Sequence, residues 1–431
     1  MSFFSCCVGS INYNLDELDE SSQILPKKQS INDKNELYPN NNLLFSYGYN
    51  SYGNVIDLNK LIDKSNTTLK VKQMCFGENH TLMLIETLDD GKINETFLFG
   101  CGSNSNGQLG LEYIPDNKNE YENFEEINLS DYINQGLFFW NKIKFIIDSI
   151  CVGNDFSLVF VKYPNSENST LYRFELLRND RFSKKNEKKR TITKEKYDSL
   201  SFGNILKIKA FNNKIIIFTS FNFLLLKGVN FDMEYYKDYR IIYTIKEKIK
   251  EVSLGINSCL LLTDTYHILC IGHNEYNEFG LSENTENLII KGKYLINDYF
   301  HKKGLKAIKI SSGARHTLIL FDNGEVYCFG DNSDRQCIGF SNYVNEPIKI
   351  RFDHDCKIVD IQCGFNHSIV KSDTGKIYAW GDSSYGKCGY KENRIDSFIP
   401  TEIAELKIRN VIKIFAGPYQ SAFFTSGGVV Q

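Results

Sequence analysis

IKISSGARHTLILFDNGEVYCFGDNSDRQCIG, residues 308–339, and IVDIQCGFNHSIVKSDTGKIYAWGDSSYGKCG, residues 358–389, are two copies of one unit. In each, an apolar stretch ends in Gly-x-x-His-Ser/Thr, and an aromatic-Gly-x-Asn/Ser phrase comes after it. The first glycines, Gly313 and Gly364, lie 51 residues apart. Apolar runs Thr317–Leu320 and Val326–Phe329 flank Asp322-Asn323-Gly324, a hairpin signal. Each copy therefore reads as several short antiparallel strands.

Working outward, the first phrase recurs at Gly255, at Phe211 in glycine's place, at Gly153 and Gly77, and once more at Gly417. The seven anchors at 77, 153, 211, 255, 313, 364 and 417 are spaced 76, 58, 44, 58, 51 and 53 residues apart, a propeller-blade period with loop insertions. The second phrase recurs at Gly48, Gly102, Gly228, Gly272, Gly330 and Gly381; after Gly153 only the degenerate LYRFELL near Leu171 stands in its place.

A single four-stranded sheet cannot bury both of its faces. Seven packed radially bury each face against a neighbour and leave only short outer edges. The phasing adds closure: the chain begins with a lone second phrase, Leu43 to Gly53, and ends with a lone first phrase, Val411 to Phe424. Joined, they complete one blade and tie the ends of the ring together. The expected fold is all-β, a seven-bladed β-propeller over 43–425, with a partly disordered N-terminal segment (1–42) and a C-terminal tail (426–431).

Composition agrees with this class. The chain has 431 residues, 42% hydrophobic and 13% aromatic, which is enough to bury a large core and suits strands. A formal net charge of −3 supplies no general attraction to nucleic acid or anionic lipid. Twelve cysteines without a CxxC pair, and no leading signal segment, read as reduced thiols in the cytoplasm or nucleus. No apolar run reaches the roughly 20 residues needed to span a bilayer.

The unit I-x-x-I-x-x-G-x-x-H-T/S-L, D-x-G-x-V/I-Y-x-F/W-G-x-N/S, G-Q-L-G resembles that of the regulator of chromosome condensation repeat family. It is matched best over 77–110 and 313–389, and the resemblance covers about residues 43 to 425. Blades two and three match poorly, lacking the Asn-x-x-Gly-Gln turn. The resemblance implies a seven-bladed propeller that presents one face to a protein partner. The best-known member is the nucleotide exchange factor for the GTPase Ran; others sense ultraviolet light or sit beside ubiquitin-ligase or kinase domains.

Several of those roles can be weighed on the residues. A light sensor needs a tryptophan cluster, and Trp140 and Trp380 stand in different parts of the chain. A ligase or kinase role would need a catalytic domain beyond the propeller. The basic tail of the chromatin-bound exchange factor has no counterpart in LDELDE at 15–20, so direct DNA binding is not expected.

Side-chain chemistry is weakly signalled. His80, His316 and His367 share one repeat position, which spreads them around a ring; they read as buried imidazoles bridging backbone groups of neighbouring strands. The repeated glycines form no GxxxxGK[ST] and read as φ > 0 positions and sites of close strand packing. HxxxH, CxxC and GxSxG are absent, so no metal, cofactor or catalytic residue is assigned. Cys101, Cys328 and Cys363 read as small core residues.

Two stretches depart from the blade pattern, about 112–141 and about 179–200. The second holds the basic run Lys184, Lys185, Lys188, Lys189 and Arg190, a candidate partner contact or nuclear-import signal as well as a solvated loop. Cys6-Cys7 is weighed as a lipid attachment point and set aside, residue 2 being serine. The reading is a monomeric scaffold, adaptor or regulatory module that binds a protein through loops on one face. The alternative is guanine-nucleotide exchange on a Ran-like or other Ras-superfamily small GTPase, which needs no catalytic side chain.

Overall fold

The structure is a computed structural model. It describes residues 42–48, 55–62, 68–89, 92–111, 120–133, 144–163, 169–176, 190–229, 234–280, 290–293, 300, 302–352, 356–389, 397–407 and 409–429. Residues 40–431 form one compact unit.

Seven four-stranded antiparallel sheets carry the chain. Blade 1 runs from Thr68 to Glu126, blade 2 from Ile146 to Lys194, blade 3 from Ile205 to Thr244 and blade 4 from Ile249 to Lys293. Blade 5 runs from Ala307 to Lys349 and blade 6 from Ile358 to Glu402. In each, the first strand is innermost and the fourth outermost, and successive inner strands approach one another around the axis.

Blade 7 is built from both ends of the chain. Arg409–Ala416 and Gln420–Val429 supply its first two strands, and Leu43–Gly48 and Val55–Asp57 the outer two. Leu43–Gly48 pairs with Gln420–Val429 from Leu43↔Thr425 to Gly48↔Gln420. The seam is as apolar as the other blade contacts: Leu44 and Phe424 of blade 7 pack with Val71 and Met83 of blade 1. Each side chain buried there stabilises closure by roughly 1.5–3 kcal/mol. The closing strand runs on to Val429, which pairs with Arg409, so part of the expected tail 426–431 is blade.

The core is a set of layers between neighbouring blades. Leu260 and Cys270 of blade 4 meet Ile310 and Leu318 of blade 5, and Tyr327 and Cys328 share a cluster with Val370 and Trp380 of blade 6. Trp380, fully buried, donates its indole N–H to Gln336 O of blade 5 at 2.8 Å. Alternation along each strand sends one set of side chains to each flank.

The structure corrects two further expectations. The stretches at about 112–141 and 179–200 are not wholly insertions, because Glu120–Glu126 and Arg190–Lys194 are the outer strands of blades 1 and 2. An outer strand packs on fewer neighbours, so its sequence lacks the apolar run that marks an inner one. LYRFELL belongs to a regular third strand, Ser169–Leu176, despite losing the glycine phrase. Cys328 and Cys337, both fully buried, are joined by a disulfide across nine residues of blade 5, whereas the sequence suggested thiols throughout. Pairing depends on a residue of the third strand and one of the following turn meeting in space, which spacing alone does not reveal. No helix among the described residues is long and apolar enough to cross a membrane.

Candidate functional site

All seven inner strands carry a register shift at the same place, between Val71/Gln73, Ile147/Ser149, Ile205/Lys207, Ile249/Glu251, Ala307/Lys309, Ile358/Asp360 and Val411/Lys413. A bulge rotates the remainder of its strand, so the residues four and two before each anchor fall on the strand's axial side. There they tie blade to blade. Gln73 donates to Ile150 O at 2.6 Å and accepts from Ile150 N at 3.0 Å. Glu251 accepts from Ile310 N at 3.1 Å, Ser253 from Ser312 N at 2.7 Å, and Ser311 from Cys363 N at 2.9 Å. Lys309 pairs with Asp360, and Lys413 donates to Lys72 O at 2.5 Å across the closing seam.

The anchor glycines stand where each inner strand turns into the second. None of Gly77, Gly153, Gly255, Gly313, Gly364 or Gly417 has positive φ. Their requirement is room: a Cβ on Gly313 would lie 2.2 Å from His316 Cε1 and 2.4 Å from Gly364 O of the next blade. Positive φ belongs to the second-phrase glycines, among them Gly102 (97°), Gly330 (110°) and Gly381 (95°). Room alone decides the anchor glycines, whereas the second-phrase glycines answer to both demands: a Cβ on Gly330 would also lie 2.5 Å from Arg315 O.

Beside Gly77, Gly153, Gly255, Gly313 and Gly364 the space is filled by the side chain three residues on, and beside Gly417 by Phe76 of blade 1. His80 Nε2 lies 2.9 Å from Ser157 Oγ, His316 Nε2 3.1 Å from Ser368 Oγ, and His367 Nε2 2.9 Å from Ser421 Oγ. Each imidazole reaches a hydroxyl of the next blade, and His80 and His316 also meet backbone of that blade, at Phe156 and Phe365. Burial holds all three rings at about 3, neutral at ordinary pH. Blade 3 departs at both places: Phe211 replaces the anchor glycine and Lys214 the histidine, yet Lys214 still bridges to blade 4, donating to Ile256 O and, at 3.1 Å, to Asn257 Oδ1. Burial pushes its ammonium down to about 8. Alignment of the copies identifies the serines and Lys214; the histidine position alone does not.

Where the anchors converge, the axis opens into a cavity of about 180 Å³. Its wall includes Gly77, Gly153, Phe211, Gly313, Gly364 and Gly417, with Lys209, Ser312 and Gln362 among the polar side chains and Glu78 among the charged ones. Phe211 and Phe365 stand 5.5 Å apart, and Phe365 and Tyr419 5.4 Å.

The third strand of each blade ends on this same face, as His80↔Gly102 and His316↔Gly330 pairings require. The loops leading out of these strands share one internal frame. Asn104, Asn274 and Asn332 accept the backbone N–H of the residue five on, at 3.0, 2.8 and 2.8 Å. Gln108, Glu278 and Gln336, all buried, accept that of the residue two before, at 2.8, 2.9 and 2.9 Å. Glu278 is a carboxyl in a glutamine's place, and burial raises it to about 7. In blade 5 the frame presents exposed rings, Phe340 at 87% and Tyr343 at 49%; Tyr385, 60% exposed, stands in the blade 6 loop, where Asp382 accepts from Ser384 N and pairs with Lys387 instead. Arg315 lies 4.1 Å over Tyr276, itself 6.1 Å from Tyr343.

Of the candidate partner contacts, Lys184, Lys185, Lys188 and Lys189 lie outside the described residues, and Arg190 opens the outer strand of blade 2, paired with Leu176. The N-terminal segment with Cys6 and Cys7 also lies outside them. Among the described residues, no three His, Cys, Asp or Glu side chains gather as a metal would require.

Comparison with known proteins fits this geometry. Two profiles described as the regulator of chromosome condensation (RCC1) repeat match residues 307–336 and 358–387, and 323–370 and 374–424. The ultraviolet-B receptor UVR8 of Arabidopsis thaliana is 26% identical over 171 residues, 39% of this chain and 37% of the receptor. The RCC2 homolog of Xenopus laevis is 24% identical over 214 residues, 41% of this chain and 39% of that protein. The chain thus spans about two fifths of the length of these two relatives. Among solved structures, Prp20p of Saccharomyces cerevisiae has a TM-score of 0.67 at 18% identity, covering 94% of this chain and 96% of that one. Human WBSCR16 has a TM-score of 0.64 at 14% identity, covering 89% and 99%. The chain thus carries regulator of chromosome condensation (RCC1) repeats within 307–424 and folds as a seven-bladed β-propeller.

Proposed function

We propose that the propeller is a protein-binding scaffold or adaptor that acts from the face carrying the anchor turns and the third-to-outer loops. The observation that carries this reading is the group of exposed rings on that face, Phe340, Tyr343 and Tyr385, with Arg315 stacked on Tyr276. Aromatic and arginine side chains are enriched at interface hot spots because they bury much area with few rotamers to lose. Their loops are held by internal hydrogen bonds; Arg335 Nη1 donates to Phe340 O at 3.1 Å and Ser341 O at 3.3 Å. A surface so held loses little entropy on binding.

A second reading is nucleotide exchange on a small GTPase, supported by one likeness: Prp20p, of the same fold, is described with binding properties to Gsp1p and histones. At 18% identity this is an argument from fold. Exchange results by linkage when a propeller holds the nucleotide-free form more tightly than the loaded one. The reading extends to a cytoplasmic or nuclear setting for either role.

Affinity capture from cell extract with the intact chain, with and without EDTA and read by mass spectrometry, tests both. A partner recovered equally in both conditions supports the adaptor. A GTPase recovered only after EDTA overturns that ranking in favour of exchange.

A further inference from the structure

We infer that Cys328 and Cys337 form a redox clamp on the blade 5 docking turn: bonded, they lock the loop that carries Phe340 and Tyr343, and reduced, they release it. The consequence for a partner rests on the docking role proposed for this face.

The same pair of positions, one in the third strand and one nine residues on in the turn, holds Gly100 and Leu109 in blade 1, Cys270 and Phe279 in blade 4, and Ala379 and Cys388 in blade 6. In blade 1 the two are in contact, since a Cβ on Gly100 would lie 2.9 Å from Leu109 Cδ2. Leu109, Phe279, Cys337 and Cys388 are all fully buried. Three blades thus fill this place by packing alone, and the bond of blade 5 is surplus to packing. The turns differ in a second, independent way. Where φ is positive, blade 1 has Gly107 and Gly110, blade 4 Asn277 and Gly280, and blade 6 Gly386 and Gly389. Blade 5 puts Arg335 (64°) and Ile338 (65°) at those two places. Glycine takes that region freely and asparagine tolerates it, whereas a β-branched side chain there is an outlier. Of these four turns, only that of blade 5 is both strained and crosslinked, and Ile338 follows Cys337 directly.

Strain of this kind persists only where surrounding contacts over-determine it, and it collects at switch regions. Asn332 holds the turn from one side, donating to Ile338 O at 2.9 Å and Ser341 O at 2.6 Å. The disulfide holds it from the other, next to Gln336, whose carbonyl accepts from Trp380 Nε1 and, at 3.0 Å, from Ser368 Oγ of blade 6. Cutting the bond removes a restraint and lets Arg335 and Ile338 leave the left-handed region, so Phe340 loses its fixed place. Both sulfurs lie beneath the exposed Ser333, Gly339, Phe340 and Ser341, and exchange follows opening of the turn, which relief of strain favours. A dithiol then attacks one sulfur as thiolate, and its second thiol displaces the mixed disulfide. Two electrons and two protons pass to the pair, leaving two cysteine thiols and the dithiol oxidised to its disulfide. In the cytoplasmic or nuclear setting proposed for the chain, disulfides are rare and those present are mostly catalytic or redox-sensing.

The test equilibrates the intact chain with reduced and oxidised dithiothreitol at graded ratios. Alkylation and mass spectrometry read the sulfurs of Cys328 and Cys337, and hydrogen exchange reads the amides of 333–341. The two cysteines should titrate together and reversibly while the melting transition is retained. Reduction should speed exchange in 333–341 by about tenfold, with no change in the matching turn of blade 4, 275–280. Cys328→Ala, which copies the Ala379 and Cys388 pair, should exchange like the reduced protein under either condition. The oxidised protein should recover a partner from cell extract at least about fivefold better than the reduced protein or Cys328→Ala. Sulfurs that never join, or that stay bonded until the chain unfolds, overturn the clamp, as does exchange unchanged by reduction, whatever the capture shows. Faster exchange with equal recovery supports the clamp and counts against docking through this turn.

Discussion

His367 and Ser421 meet across the last blade seam, Nε2 to Oγ at 2.9 Å, both fully buried and 54 residues apart in the chain. The same join is made by His80 with Ser157 and by His316 with Ser368. A turn position in one blade thus anchors the second strand of the next. Removing the hydroxyl strands a buried imidazole nitrogen, so Ser421→Ala should cost about 1–3 kcal/mol. Equilibrium denaturation in urea measures it, and an unmoved midpoint would show that the contact contributes nothing to closure.

Acid should weaken the ring. The three imidazoles sit at about 3, below the ordinary 6.5, so between those values the unfolded chain binds protons that the folded chain refuses. Their contribution is full above pH 6.5 and declines as pH falls toward 3, by up to roughly 1.4 kcal/mol per unit for each ring. Glu278 acts in the opposite sense: raised to about 7 from 4.5, it favours the fold as pH falls through that window. We expect stability to drop between pH 6.5 and 5, less steeply in His316→Gln and more steeply in Glu278→Gln. Denaturation midpoints across that range decide; identical slopes in all three proteins would refute the assignment.

Two glycines separate room from conformation. A Cβ on Gly364 would lie 1.9 Å from His367 Cε1 and 2.5 Å from Gly417 O, whereas Gly375 has φ 83° and nothing within 4 Å. Gly364→Ala should therefore destabilise by about 1–3 kcal/mol through overpacking. Gly375→Asn should be nearly neutral, because asparagine tolerates that backbone region. Thermal melts compare them, and equal losses would contradict the division of roles.

Phe340→Ala and Tyr385→Ala remove exposed rings that leave the core untouched. Each should lower recovery of the captured partner at least fivefold with the melting temperature unchanged. Undiminished recovery in the double variant would move the docking surface to another part of the ring.

Much of this architecture is legible in 308–339 and 358–389 alone. The alternation, the Asp-x-Gly hairpin and the repeated glycines act over a few residues, so the chain displays them without folding, and the split phrases at 43 and 411 declare the closure. What folding decided is which groups meet. Phe211 and Lys214 look like a decayed repeat until Lys214 is seen bridging to Ile256 O. The outer strands Glu120–Glu126 and Arg190–Lys194 are hidden because an edge strand with few packing partners needs no apolar signature. Phe211 and Phe365 lie far apart in the chain and on different blades; only the convergence of inner strands on one axis makes them neighbours. Local hydrogen bonding and alternation are properties of short segments, and a cavity on the axis of a ring is a property of all seven blades.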